Sequence, residues 1–282
     1  MAFYKILYNP KSNNKLGKTA AQEVAKLIKG DEYEYIDWLS ITDRKSFFAA
    51  LKEDEKVILC GGDGTLNHFI NDVDTDTLKN EVFLYATGTG NDFVTSIGGK
   101  TETLIALNDY FHHLPTVTVN GKDYKFINGV GFGIDGYCCE VGDALKKKSD
   151  KPVNYTSIAI KGLLFHFKPV NATVTVDGKV ERFKKVWLAP TMYGTCYGGG
   201  MFPTPDQKRG EGKVSTMVYY GKGKIKSLMV FPSIFKGEHV QHTEMVKIFT
   251  GKQVTVKFDA PTALQIDGET IKGVTEYTVK FK

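Results

Sequence analysis

A glycine-rich segment with one acid, Gly61-Gly62-Asp63-Gly64-Thr65, lies between a short apolar run and a stretch with helical spacing. Glycines at such a junction let successive backbone N–H groups converge on an anion at the helix N-terminus. A carboxylate beside a bound phosphate repels it unless a cation lies between them, and Mg²⁺ prefers oxygen ligands. The segment therefore predicts a phosphate site with Asp63 as a metal ligand. The structural alternative is a tight turn in which Asp63 caps a helix.

A second segment of the same kind follows one structural unit later, as the sequence TGTGNDF from Thr87 to Phe93. It also follows a short apolar run, and the residues able to contact a ligand are Gly88, Thr89, Gly90, Asn91 and Asp92. Taken alone, it has the composition of a glycine turn with an Asn or Asp helix cap. Two such segments in succession favour a shared ligand site.

A third segment, Ser12 to Thr19, imitates the P-loop pattern G-x-x-x-x-G-K-[ST], but Ser12 replaces the first glycine. That glycine supplies the backbone freedom of a phosphate cradle, and Pro10 stiffens the approach to it. The alternative is a helix start with a solvated basic face. We therefore expect the phosphate site at the other two segments.

The elements that position these segments are strands alternating with helices over residues 1–115. Both glycine segments follow predicted strands, Val57 to Cys60 and Val82 to Tyr85. Such alternation is typical of a parallel sheet covered on both faces, whose ligands bind at the carboxyl ends of the strands. We predict an α/β nucleotide-binding domain over 1–115, with both segments at that edge.

Residues 116–282 show period-two strands joined by turn dipeptides such as Asn120-Gly121 and Asp177-Gly178. Two predicted helices, Tyr155 to Phe167 and Ile225 to Phe235, interrupt the strands. The apolar residues of the first helix form core or line a lipid tunnel. We predict a β-rich C-terminal domain of the antiparallel sandwich type.

Composition excludes several classes of protein. The 282 residues are 41% hydrophobic and carry a net charge of +5, which suits phosphorylated ligands or an anionic lipid surface but is too small to indicate nucleic acid. The four cysteines show no metal or disulfide spacing, and no signal peptide or membrane span is recognisable. We expect a cytoplasmic protein whose membrane contact is peripheral. Lys146-Lys147-Lys148 is either a solvated face or such a contact.

Several motifs together resemble the diacylglycerol kinase catalytic-domain family, which includes bacterial lipid kinases and sphingosine and ceramide kinases and shares an NAD kinase-like fold. The resemblance spans nearly the whole chain. The motifs are Asn9-Pro10-Lys11-Ser12, GGDGTLN from Gly61 to Asn67, GTGNDF from Gly88 to Phe93, Phe126-Ile127-Asn128, Gly198 to Met201 and Asp267-Gly268-Glu269.

The resemblance implies an ATP- and Mg²⁺-dependent lipid kinase, with the C-terminal domain binding the lipid. It implies that Glu269 is the base that takes a proton from the lipid hydroxyl, and that Asp63 and Asp92 hold the metal and act in catalysis. A homodimer is compatible with it. The nucleotide-binding residues that it implies are Asn9, Ser12, Gly61, Gly62, Gly64, Thr65, Gly88, Thr89, Gly90 and Asn91.

The chain departs from the family pattern at three positions. Thr118 lies where an aspartate is usual, and Gly210 and Glu211 replace two acids of a segment that holds a structural Mg²⁺ in bacterial members. We therefore expect no ordered Mg²⁺ between Pro205 and Gly212. Two alternatives to an active lipid kinase remain: a catalytically silent nucleotide or lipid binder, and an NAD-type kinase.

Overall fold

The computed structural model describes residues 2–10, 17–88, 90–148 and 153–281. The chain divides into two compact units, Met1–Leu114 and Pro115–Lys282. Each unit has its own sheet.

The N-terminal unit alternates strands and helices. Its strands are β1 (Phe3–Tyr8), β2 (Glu32–Asp37), β3 (Glu55–Gly61), β4 (Val82–Ala86) and β5 (Leu104–Ala106). Its helices are α1 (Gly17–Leu27), α2 (Arg44–Ala49), α3 (Asp63–Asp72), α4 (Asp92–Ser96) and α5 (Asn108–Phe111), with a 3₁₀ turn at Trp38–Ser40.

The sheet of this unit has the strand order β2-β1-β3-β4-β5, and its first four strands are parallel. Only β5 runs antiparallel, against β4. The central strand β3 is buried on both faces, because Val57 and Leu59 on one side and Ile58 and Cys60 on the other are fully buried. The predicted covered parallel sheet is therefore confirmed, with β5 as an unpredicted antiparallel edge.

The C-terminal unit is mostly antiparallel strand. Its strands are β6 (Thr116–Val119), β7 (Lys122–Lys125), β8 (Gly129–Gly133), β9 (Val170–Val176), β10 (Lys179–Val186), β11 (Leu188–Met192), β12 (Val214–Tyr219), β13 (Val246–Gly251), β14 (Gln253–Ile266) and β15 (Glu269–Lys280). Its helices are α6 (Ile134–Lys146), α7 (Tyr155–Lys161) and α8 (Lys224–Val230), with a π-helical turn at Gly162–His166 and 3₁₀ turns at Phe231–Lys236 and Glu238–Gln241.

These strands form one curved set in the order β13-β12-β11-β8-β14-β15-β6-β7, and β9 joins β14 and carries β10. Every pair among them is antiparallel. The predicted fold class, an α/β domain followed by an antiparallel β-rich domain, is confirmed.

The helices of the C-terminal unit share one apolar cluster with the sheet. Ile134 and Cys138 of α6, Ile158 of α7 and Val230 of α8 are buried in it, with Trp187 from the sheet side. The predicted helix from Tyr155 to Phe167 is therefore real, but its second half winds as the π turn. The predicted helix from Ile225 to Phe235 likewise divides into α8 and a 3₁₀ turn.

Candidate active site

The first glycine segment is less of a loop than the sequence suggests. Gly61 is the last residue of β3, Gly62 is the helix N-cap in extended conformation, and Asp63 already opens α3. A side chain at Gly61 would clash with the buried Thr65 one turn later. The strand therefore turns into the helix within one residue, so that the N-terminus of α3 lies directly at the sheet edge.

The second segment packs against the first, backbone to backbone. The N–H of Thr87 donates to the carbonyl of Gly61 at 3.0 Å. A Cβ at Gly62 would lie 2.9 Å from the Cα of Gly88, and a Cβ at Gly88 would lie 2.8 Å from the Cα of Gly62. Only glycines allow this approach. The short helix α4 then begins after Asn91, whose φ of 49° is left-handed.

Asp63 joins the two segments. Its two carboxylate oxygens accept hydrogen bonds from the backbone N–H groups of Asp92, at 3.0 Å, and Phe93, at 2.9 Å. A carboxylate at the N-terminus of α4 also interacts favourably with that helix end. Asp63 therefore has a structural role across the two segments, which the sequence did not predict, because it was expected to cap its own helix or to bind metal only.

Strand register places a third predicted segment at the same edge. Tyr8, the last residue of β1, pairs with Cys60 of β3, and Gly61 pairs with Ala86 of β4. Asn9 therefore follows its strand at the level of Gly61. Gly90 is exposed and Asp92 is buried at the start of α4. The predicted ligand contacts Ser12 and Thr89, and most of the P-loop-like segment, lie outside the described residues.

Two buried polar atoms of the second segment have no hydrogen-bond partner in the described part of the chain: the Oγ1 of Thr87 and the Oδ1 of Asn91. The amide nitrogen of Asn91 donates to the carbonyl of Gly88 at 2.6 Å, which turns Oδ1 away from that bond. A hydroxyl can donate to a phosphate oxygen, and an amide oxygen can accept from a sugar hydroxyl or ligate a cation. Both atoms fit a nucleotide.

Gly64 adds a further sign of a ligand. It lies in the first turn of α3, where glycine weakens a helix, yet among the described residues outside this stretch of helix a Cβ there would meet no atom within 4 Å. Protein packing therefore does not require this glycine. A backbone that a phosphate must approach closely would require a glycine at this position.

The acidic residues of the two glycine segments fit Mg²⁺ only together with a bound phosphate ligand. No group of three or more His, Cys, Asp or Glu side chains in the described ranges is arranged to hold a metal. Asp63 and Asp92 would supply carboxylate oxygens to a cation whose remaining ligands come from phosphate and water, the usual arrangement for Mg²⁺.

In the C-terminal unit, Glu269 is the first residue of β15 and is exposed. It follows a two-residue hairpin turn made by Asp267 and Gly268, both with positive φ, and pairs with Ile266 across that turn. The side chain of Thr270 next to it donates to the carboxylate of Asp143 on α6 at 2.8 Å. The turn therefore presents Glu269 at a strand end beside α6.

Asp267 holds this turn in place. Its carboxylate accepts three backbone hydrogen bonds, from Ile127 at 2.7 Å, Asn128 at 2.8 Å and Gly129 at 2.9 Å. Two predicted motifs that are distant in sequence, Phe126-Ile127-Asn128 and Asp267-Gly268-Glu269, are thus one structural unit. Without the family resemblance, the dipeptide Asp267-Gly268 predicts only a hairpin turn.

Asp135, in the first turn of α6, is a buried acid that the sequence interpretation missed. The hydroxyl of Tyr197 donates to its Oδ1, whereas its Oδ2 is buried without a partner among the described residues. Burial raises the pKa of Asp135 to about 8. The available signal was an acid directly after the fully buried glycine-rich strand β8.

The segment from Pro205 to Gly212 is held by protein contacts. Arg209 donates to the carbonyl of Ile127 and, at 3.1 Å, to the Oδ1 of Asn128, and it stacks on Tyr193. The side chain of Gln207 donates to the carbonyls of Lys208 and Lys213 at 3.0 Å each. The guanidinium of Arg209 therefore ties this segment to oxygen atoms of Ile127 and Asn128 elsewhere in the unit. Thr118, the other departure, hydrogen-bonds Asp123 at 2.6 Å.

A pocket of about 460 Å³ lies between α6 and α7, with the apolar side chains of Tyr137, Val141 and Ile158 in its lining. Lys161 and His166 contribute to the same lining. Among all the helices that the structure describes, none has the length and hydrophobicity needed to cross a bilayer.

Comparison with known proteins agrees with these observations. The family model described as the diacylglycerol kinase catalytic domain matches residues 4–118. The model described as the YegS C-terminal NAD kinase beta sandwich-like domain matches residues 128–280, more than half of the chain.

Among curated proteins, the diacylglycerol kinase of Bacillus subtilis (strain 168) is 24% identical over 278 residues, covering 94% of this chain and 89% of the relative. The diacylglycerol kinase of Mycobacterium tuberculosis (strain ATCC 25618 / H37Rv) is 24% identical over 247 residues, covering 85% and 75%.

Among solved structures, a Bacillus anthracis (strain Sterne) protein described provisionally as a diacylglycerol kinase matches with a TM-score of 0.73 at 17% identity, over 100% of this chain and 92% of that one. A diacylglycerol kinase from the same organism matches with a TM-score of 0.63 at 15% identity, over 99% and 94%. At this identity the structural likeness establishes the fold alone. Since the two family models together account for most of the sequence, the chain belongs to the family that joins a diacylglycerol kinase catalytic domain to a YegS-type, NAD kinase-like β-sandwich domain.

Proposed function

We propose that this protein is a kinase that transfers the γ-phosphate of ATP to a hydroxyl group of a lipid, either diacylglycerol or a related molecule. The N-terminal domain, 1–115, binds the nucleotide, and the C-terminal domain, 116–282, binds the lipid. The observation that carries the proposal is the pair of glycine segments, clamped together by Asp63 and bearing two buried polar atoms that have no hydrogen-bond partner among the residues the structure describes.

Each part of this site has a task in the proposed reaction. The backbone N–H groups at the start of α3 bind phosphate oxygens, and Thr87 and Asn91 contact the nucleotide. Asp63 and Asp92 hold Mg²⁺, which when bound neutralises the phosphate charge. The further nucleotide contacts are Asn9, Ser12, Gly61, Gly62, Gly64, Thr65, Gly88, Thr89 and Gly90.

Glu269 is the proposed base. An exposed carboxylate at the end of a strand is free to receive a substrate hydroxyl, and the Asp267 clamp fixes the turn from which it projects. It orients the hydroxyl and accepts its proton as the oxygen bonds to the γ-phosphorus and the bond from that phosphorus to the bridging oxygen breaks, releasing ADP. Phosphoryl transfer needs little else from the protein beyond positioning and charge neutralisation.

The lipid acceptor is supported by two features. The curated relatives reported above are named diacylglycerol kinases. The pocket between α6 and α7 is largely apolar and has room for part of an acyl chain, with Lys161 and His166 beside it. We place the enzyme in the cytoplasm, in peripheral contact with a membrane, and we leave a homodimer as a state to be measured by sedimentation.

A labelled-phosphate assay tests the proposal. The protein is incubated with [γ-³²P]ATP, Mg²⁺ and a total bacterial lipid extract, and the organic phase is analysed for a labelled product. We expect one dominant labelled lipid, and Glu269→Gln should reduce its formation. Labelling of NAD in a parallel reaction would instead indicate an NAD-type kinase. Thermal stabilisation by ATP without any transfer would indicate a silent binder.

A further inference from the structure

Large apolar side chains are exposed on two neighbouring helical segments of the C-terminal unit. Ile225 and Met229 of α8 are 78% and 74% exposed, and Phe165 of the π turn is 71% exposed. Leu164 of the same turn is 36% exposed, and Ile160, near the end of α7 just before it, is 41% exposed. We call these five residues the apolar surface. Leaving several large apolar side chains exposed to water is unfavourable unless something covers them.

The five side chains share one side of the unit. The inner faces of both segments are buried in the same core cluster, through Leu163 from the π turn and Val230 from α8. The ammonium group of Lys224 on α8 donates to the carbonyl of Leu164 at 3.0 Å, which joins the two segments at their outer side. Ile225 and Met229 are four residues apart and so lie on one face of α8. The five side chains therefore lie on adjoining elements, exposed on the side away from the core cluster.

Within the two stretches of chain that carry the apolar surface, all charged side chains are of one sign. Residues 153–171 and 220–237 contain no Asp or Glu. Their lysines are Lys161, Lys168, Lys222, Lys224, Lys226 and Lys236. One of them, Lys226, is 3.7 Å from Glu244, which lies outside both segments. A protein partner of mixed charge would not require this bias, but an anionic headgroup layer matches it.

We propose that the apolar surface docks on an anionic lipid bilayer, with its five side chains in the headgroup region and the surrounding lysines against lipid phosphates. The inference rests on the proposed function, since a lipid kinase must reach a substrate held in a bilayer. It goes further by assigning the contact to α8, the π turn and the end of α7, and not to Lys146-Lys147-Lys148. Exposed apolar residues combined with lysines give membrane attachment through area and charge together.

Vesicle co-sedimentation without nucleotide tests the assignment. The wild-type protein should bind phosphatidylcholine vesicles containing about 30% phosphatidylglycerol, and binding should weaken when salt rises from about 0.1 to about 0.5 M. The triple variant Phe165→Ser, Ile225→Ser, Met229→Ser should lose at least about tenfold in partition coefficient. Because the three side chains are exposed, its circular dichroism and thermal midpoint should match those of the wild type.

Matched controls lie on the β9–β10 hairpin of the same unit. Val180 is 65% exposed and Lys179 is exposed beside it. Val180→Ser removes an equally exposed apolar side chain and should leave vesicle binding unchanged. Lys168→Glu should weaken binding more than Lys179→Glu, although both change the net charge equally. Equal losses in control and test variants, or no binding by the wild type, would overturn the proposal.

A spectroscopic readout keeps the test independent of any loss of fold. Both native tryptophans, Trp38 and Trp187, are buried. In Phe165→Trp the new indole should shift to shorter emission wavelength on vesicle addition and be quenched by lipids brominated near the headgroup end of the acyl chain. An indole that stays in water when the protein sediments with vesicles would contradict docking through this surface.

The kinase activity is measured separately, with the lipid acceptor in detergent micelles. The triple variant should keep most of its micelle activity while losing activity on vesicles. If the wild type binds vesicles through this surface but transfers no phosphate, the proposed function fails and the docking surface stands. If the protein transfers phosphate but its vesicle binding does not change when residues of the apolar surface are substituted, the docking proposal is wrong and the proposed function stands.

Discussion

Gly64→Ala should make the protein more stable and weaken its binding of nucleotide. Gly64 lies in the first turn of α3 with open space where a Cβ would be. Alanine is preferred over glycine in a helix by about 0.5–1 kcal/mol, and no contact from the described part of the chain opposes the added methyl group. The free energy of unfolding should therefore rise by about that amount. The same methyl group occupies the space that a phosphate needs in order to reach the backbone, so the ATP affinity should fall by at least about tenfold, or about 1.4 kcal/mol.

The measurements are urea unfolding without ligand and titration calorimetry with ATP and Mg²⁺. Gly62→Ala is the contrast, because its Cβ would lie 2.9 Å from the Cα of Gly88, against backbone that cannot move aside cheaply. That variant should lose both stability and nucleotide affinity, by about 2 kcal/mol or more in the free energy of unfolding. Both variants should bind ATP more weakly, but Gly64→Ala should be more stable and Gly62→Ala less stable than the wild type. This difference in sign distinguishes a glycine required by a ligand from one required by packing.

One result would refute this reasoning. If Gly64→Ala is stabilised as expected but binds ATP with wild-type affinity, the space beside Gly64 is not a phosphate site. The nucleotide would then have to be sought elsewhere in the chain.

Four further predictions follow from individual side chains. Asp63→Ala should abolish phosphate transfer and also lower the free energy of unfolding by about 2–3 kcal/mol, because two hydrogen bonds to a charged acceptor are lost. Asp54→Ala, at an exposed site, is the control for urea unfolding. Equal stability of the two variants would contradict the role of Asp63 in joining the two glycine segments. Glu269→Gln should lower kcat by about 10²-fold with ATP affinity unchanged; transfer at the wild-type rate would remove Glu269 as the base. Burial raises the pKa of Asp135 to about 8 from 3.8, so between these values the folded state keeps a proton that the unfolded chain loses, and the free energy of unfolding should fall as pH rises. The difference in this free energy between Asp135→Asn and the wild type should therefore grow by about 1.4 kcal/mol per pH unit. Parallel pH profiles of the two proteins would refute the prediction. EDTA should leave the thermal midpoint of the wild type unchanged, because protein contacts hold the segment from Pro205 to Gly212. Arg209→Ala should lower the free energy of unfolding by about 2 kcal/mol, because it breaks the contacts of Arg209 with Ile127 and Asn128. A thermal midpoint that drops on EDTA addition would indicate a structural metal.

The sequence predicted the N-terminal half of the fold well, because its signals are local. The strand predicted from Val57 to Cys60 and the helix predicted from Thr65 to Val73 are present as β3 and α3, each within two residues of its predicted bounds. A buried apolar run, a glycine turn and a helical spacing are each readable from adjacent residues. The short strand β5, of three residues, has no such signal, and its antiparallel direction depends on pairing with β4.

Helix α6 was missed for a physical reason. Its sequence contains Gly136 and Gly142, which lower helix propensity. A side chain at Gly136 would clash with the carbonyl of Ala263 on β14, and one at Gly142 would press on the ring of Tyr155. Tertiary packing therefore forms this helix and demands the glycines that conceal it from a local pattern.

The chemistry of single carboxylates was the least predictable feature. Asp63 and Asp267 each accept backbone hydrogen bonds from residues far along the chain, the first from Asp92 and Phe93 and the second from Ile127 to Gly129. Motif spacing shows that such acids recur beside glycines, but not which N–H groups they meet. Those partners depend on how the strands are ordered in each sheet.

The most direct test of the proposed kinase reaction compares two labels in one nucleotide. The wild-type protein is incubated with Mg²⁺, diacylglycerol in detergent micelles and either [γ-³²P]ATP or [α-³²P]ATP, and label extracted into the organic phase is counted. We predict label from the γ position alone, recovered as a phosphorylated lipid and strongly reduced in Glu269→Gln. Absence of organic-phase label from [γ-³²P]ATP, with diacylglycerol and with a total lipid extract alike, would contradict the assignment as a lipid kinase.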